Sequence, residues 1–138
     1  MLLTPVIYFH IVSSMDLQKK TILVVDDEAD TLELLRTILE HEGFNVWKAN
    51  NGKVALDMAK KNPNLILLDV RMPGGLSGLD VCISIKNNKK YKHIPIIIFS
   101  AKVLDRDIHL GLEAGASEYI TKPFSSVELV KLIKKHIL

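Results

Sequence analysis

Cysteine is almost absent from this 138-residue chain: Cys82 stands alone, so no internal disulfide can form, and a reducing, cytoplasmic setting is the expectation. No Cys/His cluster offers the ligand spacing of a zinc site. An excess of charge of one sign is lacking too. The 18 Lys and Arg against 16 Asp and Glu leave a formal net charge of +2, too mild to announce direct nucleic-acid binding, and no basic arm or acidic tail is present. No apolar run reaches the roughly 20 residues of a membrane span, so membrane insertion is not expected. The apolar opening MLLTPVIYFHIVSS contains Pro5 and His10 and has no Lys or Arg ahead of it, which argues against a signal peptide. Met15, followed by DLQKK, offers a second start. Residues 1–19 are therefore expected to be an N-terminal appendage, the first fourteen or so even a misassigned start.

What remains is rich in apolar residues, 48% of the chain, enough for one domain with its own core. From Thr21 onward, apolar runs alternate with segments of helical periodicity, the sign of βαβ units and a parallel sheet covered on both faces. TILVV, FNVWKA, LILLDV, PIIIFS and EYIT read as strands, and the mixed polarity of FNVWKA suggests an edge. Between them lie helical patterns: Leu32, Leu35, Ile38 and Leu39, ended by Gly43; GKVALDMAKKN, stopped by Pro63; LDVCISIKNN; and DRDIHLGLEAG, ended by Gly115. Ser125 and Glu128 have the spacing of a capping box for a last helix, with Val127, Val130 and Ile133, beside Leu129 and Leu132, toward the core. No repeat or low-complexity linker divides residues 20–138.

Asp69 follows four consecutive apolar residues in LILLDVRMP. An Asp there can simply end a strand, yet in open α/β sheets ligands bind outside the C-terminal strand ends. Right-handed crossovers bring Asp26 and Asp27, Asp69, Ser100 and Lys122 to that one rim. Carboxylates gathered there repel one another unless a cation is present. Oxygen ligands without His or Cys favour a hard divalent ion such as Mg²⁺, with Mn²⁺ as a substitute. Such a site suits phosphoryl transfer, with Asp69 as a nucleophile able to form an aspartyl phosphate, Lys122 as a positive charge and Ser100 as a hydroxyl donor. Each residue also has a plain reading. The paired acids can start a helix, Ser100 can be a loop residue and Lys122 a solvated side chain.

VVDDE, LLDVRMP, IIIFSA and YITKPF, in this order and at these separations, resemble the receiver domain of two-component response regulators, of the stand-alone chemotaxis-regulator type. The resemblance covers about residues 20–138 and implies a flavodoxin-like, doubly wound (βα)5 fold with strand order 2-1-3-4-5. It implies that Asp69 is the phosphoacceptor for a sensor histidine kinase or a phosphotransfer protein. Asp27 would be a direct metal ligand, Asp26 an acid acting through metal-bound water, and the Arg71 backbone carbonyl the remaining protein ligand. It further implies that Ser100 is a switch hydroxyl, Tyr119 an aromatic that changes rotamer with it, and Lys122 a phosphoryl-binding lysine joined to Pro123 by a cis bond. Output would pass through the face of the fourth helix, fifth strand and fifth helix, to a downstream protein or a second copy. The domain would catalyse its own phosphorylation and dephosphorylation without being a turnover enzyme.

The loop RMPGGLSG is one residue longer than the common form, and Arg71 and Lys102, two residues after Asp69 and Ser100, are both basic. Their charges are expected to tune phosphoryl lifetime by pairing with phosphoryl oxygens or obstructing water. A Mg²⁺-dependent aspartate-nucleophile phosphohydrolase is the alternative, but its Asp-x-Asp is interrupted by Arg71. A nucleotide-binding module would want a G-x-G-x-x-G or a P-loop after the first strand, where acids stand instead.

Overall fold

A computed structural model of the chain describes residues 4–5 and 20–138. Apart from residues 4–5, the expected appendage 1–19 and its second start at Met15 lie outside the described residues. The chain runs β1 (Thr21–Val25), α1 (Ala29–His41), β2 (Asn45–Ala49), α2 (Gly52–Ala59), β3 (Leu65–Leu68), α3 (Gly78–Lys86), β4 (Ile96–Ser100), α4 (Asp105–Glu113), β5 (Glu118–Thr121) and α5 (Ser126–Ile137). Its five strands form one parallel sheet in the order β2-β1-β3-β4-β5, a flavodoxin-like α/β arrangement with β2 at an edge.

Strand alternation divides the core in two. Leu23, Val25, Ile66, Leu68, Ile96 and Ile98 face α2 and α3, where Ala55, Ala59, Val81, Cys82 and Ile85 meet them. Their neighbours Ile22, Val24, Leu65, Leu67, Ile97 and Phe99 face α1 and α5, against Leu35, Leu39, Leu129 and Ile133. With helices on both faces, every residue of β3 is buried, which explains the unbroken run LILL.

Helix ends place the strand rims. After α1, Gly43 (φ 98°) donates to the Glu40 carbonyl and Phe44 to that of Leu39, a Schellman close that turns the chain into β2. Two expectations for α5 need correction. Val127 is 66% exposed, because the buried stripe runs through Leu129, Val130 and Ile133. A residue two positions before Leu129 points about 200° around the helix from it. Only half of the Ser125/Glu128 capping box forms: the Glu128 N–H donates to Ser125 Oγ at 3.4 Å, with no return bond among the described residues. The complete box lies at α3, where Ser77 and Asp80 satisfy each other's backbone N–H groups.

Candidate functional site at the C-terminal strand ends

Asp26, Asp27, Asp69, Ser100 and Lys122 each sit at or just beyond a strand end. Asp26 follows β1 and is fully buried; its N–H donates to the Ala49 carbonyl, and its Oδ1 accepts from the Glu28 N–H at 2.9 Å. That turn leaves Asp27 exposed on the rim. Asp69 follows β3, is 5% exposed, and is held by its N–H to the Val25 carbonyl and by the Arg71 N–H to its Oδ1 at 3.1 Å. The carboxylates of Asp26, Asp27 and Asp69 offer ligand oxygens that all lie within 4.8 Å of one another.

Lys122, just after β5, bridges two of these acids. Its Nζ donates to Asp26 Oδ2 at 2.9 Å and to Asp69 Oδ2 at 3.2 Å, and it lies 4.7 Å from the Phe99 ring centroid. The Lys122–Pro123 bond is cis. Burial alone would lower the Lys122 pKa, but the two carboxylates outweigh it and hold the ammonium above its ordinary value. Burial pushes the Asp69 carboxyl up, and the charge of Asp26 adds to that; the Arg71 N–H and Lys122 oppose both without cancelling them. A cation among these oxygens would remove the conflict, and an all-oxygen set of this size suits a hard divalent ion.

On the other side of Asp69, Ser100 ends β4 fully buried, and its Oγ accepts from the Lys102 N–H at 3.1 Å. Tyr119 is half-buried on β5, and its hydroxyl donates to the Lys102 carbonyl at 2.8 Å. Ser100, Lys102 and Tyr119 are therefore linked through one residue's backbone. A bowl of about 760 Å³ opens over Asp69, lined by Asp27, Arg71, Met72, Ser77, Lys102 and Lys122 among others, wide enough for a phosphoryl donor. Trp47 lies half-buried on β2, away from that bowl.

The longer loop leaves the bowl intact. Gly74 (φ 86°) and Gly75 (φ 106°) turn in the open, and the Gly78 N–H closes the loop onto the Val70 carbonyl at 2.9 Å. Gly78 itself is obligatory: a Cβ there would stand 2.0 Å from the Asp69 carbonyl oxygen. Sequence reasoning missed Gly78, Phe99 and the Glu28 N–H as supports of the site. Only the glycine left a sign, in a Gly-rich loop directly after the aspartate strand.

A family profile described as the response regulator receiver domain matches residues 22–134. Among curated proteins, the DNA-binding response regulator MtrA of Mycobacterium tuberculosis, and likewise that of Mycobacterium bovis, is 39% identical over 124 residues, 89% of this chain and 53% of the relative. The chain thus spans about half the length of these curated relatives. Similar solved structures include chemotaxis protein CheY4 of Vibrio cholerae (27% identity, TM-score 0.79, 86% of this chain and 98% of that one). Another is the signal receiver domain of a signal transduction histidine kinase from Syntrophus aciditrophicus (33%, 0.79, 86% and 89%). The BeF3-activated receiver domain of Klebsiella pneumoniae RstA also matches (27%, 0.78, 86% and 98%).

Proposed function

Because the chain belongs to the response regulator receiver domain family, the phosphoacceptor switches of two-component signalling, we propose that residues 20–138 form such a domain and that Asp69 takes the phosphoryl group. One observation carries this: Asp69 lies buried at a rim where Asp26, Asp27 and Lys122 converge on it from two other strand ends. Asp27, Asp69 and the Arg71 backbone carbonyl would hold Mg²⁺ (or Mn²⁺) directly, and Asp26 would hold it through water. The ion, when bound, would offset carboxylate repulsion and the charge of the transferring group.

In the transfer, an Asp69 carboxylate oxygen attacks phosphorus as the P–N bond to the donor's imidazole breaks. The electron pair stays on the imidazole nitrogen, which takes up a proton from water. Lys122, already charged and half-buried, turns from the carboxylates to the phosphoryl oxygens, and Ser100 Oγ donates to one of them. The new charge, close to −2, is what these groups must answer by moving. Ser100 and Tyr119 share the Lys102 backbone, so movement at Asp69 reaches the surface of α4, β5 and α5.

The donor is a sensor histidine kinase or phosphotransfer protein, and the receiver of the signal is a downstream protein or a second copy docking on that surface. The setting is cytoplasmic; among the described residues no helix is long and apolar enough to cross a membrane. The name of the curated relatives includes DNA binding; for residues 20–138 we propose protein contacts and no direct nucleic-acid contact. Arg71 and Lys102 line the bowl and set phosphoryl lifetime, so Arg71→Asn and Lys102→Ala are expected to change the half-life of the adduct.

The test is intact mass after incubation with Mg²⁺ and a small acyl phosphate. A single phosphoryl adduct is expected, lost in Asp69→Asn and without metal. Absence of any adduct would overturn the assignment, and rapid donor turnover without an adduct would point to a phosphohydrolase.

A further inference from the structure

Gly111 sits inside α4, where a glycine costs roughly 1 kcal/mol relative to alanine and needs a reason. Its backbone supplies none, since positive φ among the glycines is confined to Gly43, Gly74, Gly75 and Gly115. The reason is space. A Cβ at Gly111 would stand 2.8 Å from Tyr119 Cδ2, 3.1 Å from Tyr119 Cε2 and 3.1 Å from Ile98 Cδ1. The Tyr119 ring therefore lies directly against the backbone of α4, in the position from which its hydroxyl reaches the Lys102 carbonyl at 2.8 Å.

We propose that Gly111 is a positioning residue of the switch: the missing side chain is the berth that admits the Tyr119 ring beside α4 and so sets how much of the protein holds the Lys102-bonded rotamer. This rests on the phosphoacceptor reading for its functional consequence, though not for its geometry. Two of the three atoms crowding the berth belong to the tyrosine ring, which can swing toward solvent. Ile98 is fully buried in the sheet and has no such exit. An alanine at 111 is therefore accommodated by expelling the ring, which breaks the bond to the Lys102 carbonyl and uncouples Tyr119 from the loop that orients Ser100. Alanine would restore helix propensity to α4 while removing the berth, so global stability and switching would move independently. Such separation marks a residue that acts on the rotamer and not on the fold.

The experiment compares wild type, Gly111→Ala, Tyr119→Ala and the double variant. One readout is the set of NMR contacts between the Tyr119 ring and the Ile98 methyl; the other is the initial rate of phosphoryl incorporation from acyl phosphate with Mg²⁺. Gly111→Ala is expected to lose the ring–methyl contacts and to slow incorporation about five-fold, while in the Tyr119→Ala background the same substitution changes the rate by less than about two-fold. Retention of the ring–methyl contacts in Gly111→Ala would overturn the proposal. So would an equal rate effect in both backgrounds, which would make Gly111 merely structural. If wild type takes up no phosphoryl group, the phosphoacceptor reading fails, and the ring contacts still decide whether Gly111 is the berth.

Discussion

Helices α1 and α4 have similar jobs in the fold and opposite packing. α1 drives Leu32, Leu35 and Leu39 into the core, whereas the only buried residue of α4 is Gly111. Around α4, Val103, Leu104, Leu110 and Leu112 are each about half exposed or more, from 46% to 57%. The acids Asp26 and Asp69 follow β1 and β3, in the middle of the sheet, and are tied by backbone bonds to neighbouring strands. Lys102 and Tyr119 belong to the lightly packed side, and Ser100, fully buried at the end of β4, meets it through the Lys102 N–H. The contrast separates a fixed half, which carries the proposed phosphoacceptor, from a loosely packed half that we propose responds to it.

Substitutions should expose that contrast, most severely at the fixed half. Gly78→Ala puts a Cβ 2.0 Å from the Asp69 carbonyl oxygen, where only backbone movement can make room. Urea unfolding should show a loss of about 3 kcal/mol or more. Leu35→Ala, at a fully buried site in α1, should cost about 3 kcal/mol, whereas Leu112→Ala in α4 should cost less than about 0.5 kcal/mol. Equal costs would erase the distinction between the helices. Mg²⁺ at a hundredfold excess over its Kd should raise unfolding stability by about 2.7 kcal/mol. That gain should vanish in Asp27→Asn, and its persistence would place the ion elsewhere.

The last effect is pH-dependent and belongs to Cys82, on the core face of α3, whose thiol burial pushes up from 9.0 to about 11. Its folded value lies above the unfolded one, so its contribution to stability is complete below about pH 9 and is lost as pH rises through about 11. Stability measured from pH 8 to 11 should therefore fall more steeply for wild type than for Cys82→Ala. The buried thiol should also resist alkylation at pH 8 until the protein unfolds.

The strands were legible because burial on both faces leaves uninterrupted apolar runs, and the rim followed from the alternation of strands and helices. Helix rotation was harder. Val127 and Val130 look equivalent in sequence, and only the position of α5 over the sheet decides that one is exposed and the other buried. The complete capping box at Ser77 and Asp80 was hidden inside a loop that reads as Gly-rich turn chemistry. At the site, the residue types were legible, but their partners were not. That Lys122 rests between Asp26 and Asp69, above the Phe99 ring, depends on side chains from four strand ends meeting in space. Gly111 and Gly78 show the same limit, since nothing local distinguishes a glycine kept for space from one kept for a turn.

The most direct test of the two-half account is amide hydrogen exchange, followed by mass spectrometry, of the Mg²⁺-loaded protein with and without acyl phosphate. Changes in protection are predicted for peptides spanning residues 100–121, with those of α1 unchanged. Changes spread evenly over both halves, or confined to the loop after Asp69, would contradict the account.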